Sequence, residues 1–168
     1  MVTIKENFLS ETDFLKVQRL STKIFVERDK YQLDTNYRRW PPYIIKGSNV
    51  VLIYDIFEEE IWDIFQKATN RDIKHIMFYY WMENSYIPWH DDGHEKGAGT
   101  LYLNESWKKE YGGIYLYETP NKKINSILPE RNLFVDQYEY EHATTPINRE
   151  ADIRQTVQIF YNDSKRNT

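Results

Sequence analysis

The spacing of hydrophobic residues along the chain changes near residue 72. Before that point, apolar residues recur every three or four positions in two segments, which is typical of helices with one buried face. After it, β-branched and aromatic residues form short runs separated by turn-forming residues, which indicates strands. The pattern therefore predicts helices in the N-terminal part and a mainly β structure in the rest.

The first helix is predicted to follow Ser10, whose side chain can cap it, with acidic residues in the first turn. Its apolar stripe consists of Phe14, Val17, Leu20 and Ile24. Such a stripe predicts that the helix packs against another layer of the structure.

The second helix is predicted to begin at Asp55, because Glu58 three residues later completes a capping-box pattern, and to end at Asn70. Its buried side would comprise Phe57, Ile61, Ile64, Phe65 and Ala68. Between the helices, the segment Glu27 to Gly47 carries charges, aromatic residues and two consecutive prolines, which indicates an ordered loop.

The second half of the chain is a succession of short predicted strands. They cover residues 73–81, 86–92, 100–103, 114–117, 124–128, 132–135 and 156–161. Two helices outside a jelly-roll-type barrel are the simplest architecture for this order of elements. We therefore expect residues 1–168 to form a single, mainly β domain.

Composition narrows the function classes. The net charge is −4 and the basic pairs are scattered, which makes nucleic-acid binding an unfavoured interpretation. The N-terminus has no signal-peptide pattern and no apolar run reaches membrane-spanning length, so we expect a soluble, cytoplasmic protein without membrane contact. The chain has no cysteine, so any metal ligand must be nitrogen or oxygen. The oligomeric state is left open.

Metal-binding potential centres on the segment containing His90 and Asp92. Residues two apart in a strand point to the same face, so these side chains can converge on one ion. A second imidazole is available at His142. Two histidines and one carboxylate on one side of a metal leave its other side open, as in non-haem Fe(II) oxygenases.

Other residues compete for these roles. His94 lies four residues after His90, but a proline and a turn signal disfavour the helix that would bring the two together, and in a strand they lie roughly 13 Å apart. Asp91 has the opposite strand parity to His90 and should point away. His75 is interpreted as an ordinary strand histidine.

An anion-binding face is predicted on the last strand. Arg154, Thr156 and Gln158 share one face of it, and a guanidinium beside a hydroxyl can bind a carboxylate through paired hydrogen bonds. The alternative is an edge-strand arginine that faces water.

These residues belong to a larger pattern with a known counterpart. Its collinear elements are His90-x-Asp92, Thr100-Leu101-Tyr102-Leu103-Asn104-x-x-Trp107, Gly112-Gly113, Leu128-Pro129-x-x-Asn132-Leu133-Phe134, Glu141-His142 and Arg154-x-Thr156. Together they resemble the Fe(II)/2-oxoglutarate-dependent dioxygenases, specifically the prolyl 4-hydroxylase-like branch. The resemblance covers roughly half of the chain, from Ile76 to Tyr161.

The resemblance implies a double-stranded β-helix (jelly-roll) core in which His90, Asp92 and His142 hold Fe(II). It also implies a reaction that uses O2 and couples the oxidative decarboxylation of 2-oxoglutarate to succinate with hydroxylation of a second substrate. Ascorbate would be an optional further reductant.

The cosubstrate site is implied in the same way. Arg154, assisted by Thr156, would pair with the distal carboxylate of 2-oxoglutarate, while Tyr80 and Tyr102 match positions where relatives place tyrosines that hydrogen-bond it. A charged connection before Arg154 makes Arg149 a rival anion ligand.

The primary substrate is the least determined part of this interpretation. The resemblance suggests a peptidyl proline, or a small amino-acid-like molecule, with Glu27 to Gly47 and Glu105 to Tyr111 as candidate walls of its site. Trp107 is expected to pack the base of a loop. The competing hypothesis is a non-catalytic, cupin-like module that binds a metal or a carboxylate ligand.

Overall fold

Two antiparallel sheets form the framework of the protein. The computed structural model describes residues 2–31, 34–35, 51–92, 97–138 and 140–162. The strands in these ranges are β1 (Val2–Lys5), β2 (Asp34–Thr35), β3 (Val51–Asp55), β4 (Ile73–Trp81), β5 (Ile87–His90), β6 (Ala98–Tyr102), β7 (Tyr115–Glu118), β8 (Ile124–Ile127), β9 (Phe134–Gln137), β10 (His142–Thr144) and β11 (Arg154–Tyr161). The helices are α1 (Glu11–Val26) and α2 (Glu59–Thr69), with short 3-10 turns at Arg28–Lys30 and Lys109–Tyr111.

The larger sheet has the order β1-β9-β6-β11-β4-β3-β2, and the smaller has the order β5-β10-β7-β8. All of their pairings are antiparallel. Strand β11 lies at the centre of the larger sheet, between β6 and β4. From β4 onwards the chain passes repeatedly between the two sheets, for example from β5 to β6 and from β9 to β10, as in a jelly roll.

The first helix confirms its sequence signals. Ser10 precedes α1 and its hydroxyl accepts a hydrogen bond from the Asp13 amide at 3.2 Å. Phe14, Val17 and Ile24 of the predicted stripe are fully buried.

The predicted start of the second helix is wrong. Asp55 ends strand β3, where it pairs with Met77 of β4, and α2 begins only at Glu59. Glu58 makes no side-chain capping bond, and Phe57 is 77% exposed rather than buried. Asn70 does end the helix, in the left-handed conformation that asparagine tolerates.

A helix-side core forms between the two helices and the outer face of the larger sheet. It includes Phe14 and Phe65 from the helices, and Phe78, Leu101 and Val157 from three neighbouring strands. The helices therefore close one face of the larger sheet, and its other face is left for the smaller sheet.

The inner face of the larger sheet packs against the smaller sheet. Tyr102 and Val135 of the larger sheet contact Tyr115 and Ile127 of the smaller one, and all four are buried. A neighbouring cluster joins Tyr79 and Trp81 of β4 to Ile87 of β5 and to Trp107 and Ile147 of the loops. This inter-sheet layer contains the functional residues considered next.

The predicted mainly β architecture with two N-terminal helices is confirmed. Strands β4 to β9 and β11 agree with the predicted segments to within a few residues, whereas β1, β2, β3 and β10 were not predicted. Most of the predicted loop Glu27 to Gly47 lies outside the described residues. No helix in the described ranges is long and apolar enough to cross a membrane.

Candidate functional site

Three predicted ligands meet in the smaller sheet. His142 on β10 lies directly opposite His90 on β5, and their ring centroids are 4.1 Å apart. The Asp92 carboxylate reaches both rings, with Oδ1 3.8 Å from His90 Nε2 and Oδ2 3.6 Å from His142 Nε2. One donor atom from each residue lies within 4.8 Å of the others. Among the described residues, no other group of three histidine or acidic side chains comes together in this way.

A β-bulge aims His90 into the structure. His142 pairs with His90, and Thr144 pairs with Ile87. One residue separates the two on β10, whereas two residues separate their partners on β5, so β5 contains one extra residue. Pro88 lies in this bulge, where its missing N–H costs no ladder hydrogen bond. As a result Ile87 and His90 are both buried, while Trp89 between them is 39% exposed.

Backbone carbonyls fix the orientation of both imidazoles. His90 Nδ1 lies 2.9 Å from the Pro88 oxygen, and His142 Nδ1 lies 3.1 Å from the Tyr140 oxygen. A carbonyl oxygen can only accept, so each Nδ1 carries a proton, and Nε2 is the ring nitrogen that faces Asp92. Metal-binding histidines are commonly oriented in this manner.

The protonation state of His142 suits a ligand. Burial lowers its pKa to about 4, because a charged imidazolium would lose its hydration, although the Asp92 carboxylate opposes this shift. At neutral pH the ring is therefore uncharged, which is the form that binds a metal.

Gln137 on β9 contacts two of the three ligands and was not predicted from the sequence. Its amide nitrogen donates to Asp92 Oδ2 at 2.8 Å and lies 3.1 Å from His142 Nε2. Its amide oxygen accepts a hydrogen bond of 2.6 Å from the Tyr115 hydroxyl. The ring of Tyr115 stacks on His142 at 5.5 Å, and burial raises the pKa of this tyrosine well above its usual value.

Arg154 lies fully inside the inter-sheet layer, at 2% exposure. Its guanidinium stacks over Trp81 at 4.4 Å, lies 5.9 Å from the Tyr102 ring centroid and donates to the Gly113 carbonyl. Its Nε has no hydrogen-bond partner among the described residues, and no described carboxylate pairs with it. Burial lowers its pKa to about 10, so it remains charged at neutral pH. The alternative of a water-facing edge arginine is wrong.

Thr156 and Tyr102 share the inner face with Arg154. They are direct partners across the β11–β6 pairing, and both are buried. The Thr156 hydroxyl accepts a hydrogen bond of 3.0 Å from the indole of Trp81, a residue that sequence reasoning missed. Burial raises the pKa of Tyr102 to about 12, so its hydroxyl stays protonated.

Tyr80 does not belong to this face, and the prediction that it contacts a cosubstrate is corrected. It pairs with Gln155, on the helix side of β11, and its hydroxyl donates to the Ser21 carbonyl of α1 at 2.9 Å. Its ring lies among the residues of the helix-side core, near Phe25. Because side chains alternate along a strand, Trp81 occupies the inner face instead.

The structure also separates the other rivals from the site. Arg149, Asp91 and His75 are exposed, so Arg149 does not share the buried position of Arg154. His94 lies outside the described residues. Trp107 is buried and its indole donates to the Gly112 carbonyl at 2.8 Å, which confirms its packing role.

Comparisons with known proteins agree on the fold. No protein-family model matches the chain, and no curated protein matches it in sequence. A prolyl 4-hydroxylase of Pseudomonas putida superposes with a TM-score of 0.72 at 15% identity, over 95% of this chain and 91% of that one. A prolyl hydroxylase of Trichoplax adhaerens, solved with a peptide fragment of the hypoxia inducible factor oxygen degradation domain, gives 0.76 at 14% identity, over 95% and 82%.

A third solved structure belongs to an oxidoreductase of the 2OG-Fe(II) oxygenase family from Burkholderia pseudomallei. It superposes with a TM-score of 0.68 at 10% identity, over 99% of this chain and 89% of that one. The double-stranded β-helix fold of the prolyl 4-hydroxylase-like type, expected from the resemblance, is thus confirmed. At these identities the similarity establishes the fold, and function has to be argued from the site.

Proposed function

We propose that this protein is a non-haem Fe(II)- and 2-oxoglutarate-dependent hydroxylase, formed by a single domain over residues 1–168. The observation that carries the proposal is that Arg154, buried and charged without a carboxylate partner among the described residues, shares the inter-sheet layer with the His90–Asp92–His142 cluster. A buried charge without a counter-ion is costly, so an anionic ligand would compensate it.

Fe(II) suits the donor set. Two imidazoles and one carboxylate, all on one side, form the ligand set of non-haem Fe(II) oxygenases and leave coordination positions open. The hydrogen bonds from His90 Nδ1 and His142 Nδ1 to carbonyls support the same role, because they keep both Nε2 atoms directed at the site.

2-Oxoglutarate suits the rest of the layer. A chain of side-chain contacts leads from Arg154 past Tyr102 and Tyr115 to His142. A dicarboxylate could therefore pair one end with Arg154 while the other end reaches the metal ligands. The Tyr102 hydroxyl and Thr156 would add hydrogen bonds to the carboxylate at Arg154.

Iron bound at this site would supply the activation of O2 that couples decarboxylation of 2-oxoglutarate to hydroxylation. The contribution of the chain is to position and to shield the reactants. Arg154 orients the cosubstrate, the three ligands fix the metal, and the buried rings of Trp81, Tyr102 and Tyr115 exclude water.

We further propose a peptidyl proline, or a small amino-acid-like molecule, as the primary substrate. Support comes from the shared fold with two prolyl hydroxylases, one of them solved with a peptide. The exposed indole of Trp89, next to His90, offers a surface against which a pyrrolidine ring could pack.

Turnover tests the proposal. Purified protein with Fe(II), ascorbate and O2 should convert 2-oxoglutarate to succinate, and a panel of proline-containing peptides and free amino acids should reveal a member that gains one oxygen atom by mass spectrometry. Failure to form succinate with any member of the panel, in protein shown to contain iron, would contradict a hydroxylase.

Gly113 provides a prediction specific to this chain. It has φ +63°, and a Cβ there would lie 2.9 Å from Arg154 Nη1 and 3.2 Å from Ile147 Cγ1. Gly113→Ala should therefore displace the guanidinium and raise the half-saturating 2-oxoglutarate concentration about tenfold, equivalent to about 1.4 kcal/mol. Left-handed strain should also destabilise the fold by about 1–3 kcal/mol in urea unfolding.

Gly97→Ala is the matched control. Gly97 also has positive φ, +117°, but a Cβ there would meet no atom closer than 3.4 Å and none of Arg154. It should lower stability without changing the 2-oxoglutarate requirement. Equal effects of both variants on that requirement would argue against the contact with Arg154.

A further inference from the structure

We propose that Gln137, held by Tyr115, is a positioning residue that presents the Asp92 carboxylate to the metal. The inference rests on the proposed function, because it concerns how this chain prepares the same site. Neither residue is one of the three ligands, and both lie in the buried layer beside them.

The orientation of the Gln137 amide is determined by its neighbours. The group 2.8 Å from Asp92 Oδ2 must be the NH2, because an amide oxygen would be repelled by a carboxylate oxygen at that distance. The second N–H points to His142 Nε2, 3.1 Å away, which is an acceptor because His142 Nδ1 carries the proton.

Tyr115 prevents the amide from turning over. Its hydroxyl lies 2.6 Å from the Gln137 oxygen and has to donate, since an amide oxygen can only accept. Tyr115 is itself fixed, because it is 4% exposed and its ring stacks on His142. Tyr115 therefore donates a hydrogen bond to Gln137, and Gln137 donates one to Asp92.

Metal binding affects the two Gln137 bonds differently. Nε2 of His142 has one in-plane lone pair, so the bond from Gln137 to His142 must be released when a metal takes that lone pair. The bond to Asp92 can persist, because a carboxylate oxygen accepts more than one partner. Hydrogen bonds to a charged acceptor are roughly twice as strong as neutral ones, so orientation of Asp92 should outweigh the loss at His142.

The experiment is a Mn(II) titration followed by the electron paramagnetic resonance signal of the free ion. Gln137→Met, which keeps the length and removes the amide, should raise the dissociation constant about 10–100-fold, the range typical for partners of metal ligands. Tyr115→Phe, which keeps the ring on His142 and removes the hydroxyl, should raise it by a smaller factor, since the amide can then turn.

Tyr117→Phe is the matched control. Tyr117 lies opposite His142 on β7, with its ring 6.3 Å from Tyr115, and its hydroxyl makes no hydrogen bond within the described part of the chain. Its Mn(II) affinity should equal that of the wild type. The visible spectrum of bound Co(II) should change in Gln137→Met and Tyr115→Phe but not in Tyr117→Phe. Loss of packing alone would not produce this difference between the variants.

The outcomes separate this inference from the proposed function. Tight Mn(II) binding by the wild type with unchanged affinity and spectra in Gln137→Met and Tyr115→Phe overturns the positioning role and leaves the hydroxylase proposal standing. If Gln137→Met does not fold, an unchanged Tyr115→Phe suffices to overturn it. Absence of Mn(II) binding by the wild type overturns both.

Discussion

Replacing Arg154 by leucine is expected to raise the 2-oxoglutarate concentration for half-maximal turnover by a factor of about 100 or more. Arg154 is the buried cation to which the distal carboxylate would bind, and breaking a buried ion pair costs about 3–5 kcal/mol, or about 100-fold and upward. Succinate formation at a series of 2-oxoglutarate concentrations measures the effect.

Two controls show whether the effect comes from the missing anion anchor. Arg149→Leu removes an exposed arginine five residues away and should leave the requirement unchanged. Without ligand, the Arg154→Leu protein should also unfold in urea at about the same concentration as the wild type, or at a higher one. The substitution removes a buried charge that has no counter-ion among the described residues. A wild-type 2-oxoglutarate requirement in Arg154→Leu would show that the cosubstrate binds elsewhere.

His142→Ala is expected to abolish oxygen-dependent consumption of 2-oxoglutarate. Without His142, only His90 and Asp92 remain to bind the metal. Asp92 also loses the neutral imidazole whose Nε2 lies 3.6 Å from its Oδ2. We expect Fe(II) affinity to fall at least about 100-fold, more than for loss of a residue that only orients a ligand.

His75→Ala is the matched variant for this prediction. His75 is an exposed histidine at the far end of β4 and should tolerate the same substitution without loss of metal or activity. Unchanged turnover in His142→Ala, at saturating iron, would show that the three residues are not the metal ligands.

The proximity of His90 and Asp92 could be predicted from their spacing, whereas the position of the third candidate ligand, His142, depends on strand pairing. The rule that residues two apart in a strand share a face predicts that His90 and Asp92 converge, although β5 ends at His90. The pairing of β10 with β5 places His142 beside both. The inner face of β11 was also predictable, because polar Thr156 and Gln158 alternate with apolar Val157 and Ile159, and Arg154 has the parity of Thr156.

Tyr80 could not be placed by the same rule. Strand β4 is buried on both faces from Ile76 to Trp81, so its sequence shows no alternation that would indicate which side chains face inward. Only the pairing of Tyr80 with Gln155, and of Trp81 with Arg154, determines the faces. The sequence interpretation therefore chose Tyr80, whereas its neighbour Trp81 faces the inter-sheet layer.

The contacts of Gln137 depend on tertiary structure in a similar way. Its partners come from β7, β10 and the end of β5, and no local spacing relates them.

The start of α2 was mispredicted for a different reason. A capping-box pattern at Asp55 competed with strand pairing between β3 and β4, and the tertiary pairing prevailed.

An anaerobic titration of the metal-free protein with Fe(II) and 2-oxoglutarate tests the central claim most directly. The account predicts a weak visible charge-transfer band, which requires the keto acid to chelate iron at the His90–Asp92–His142 site, and it predicts that Arg154→Leu needs far more 2-oxoglutarate to develop the band. Binding of Fe(II) without any band would contradict the hydroxylase and would favour a cupin-like module that binds a metal without turnover.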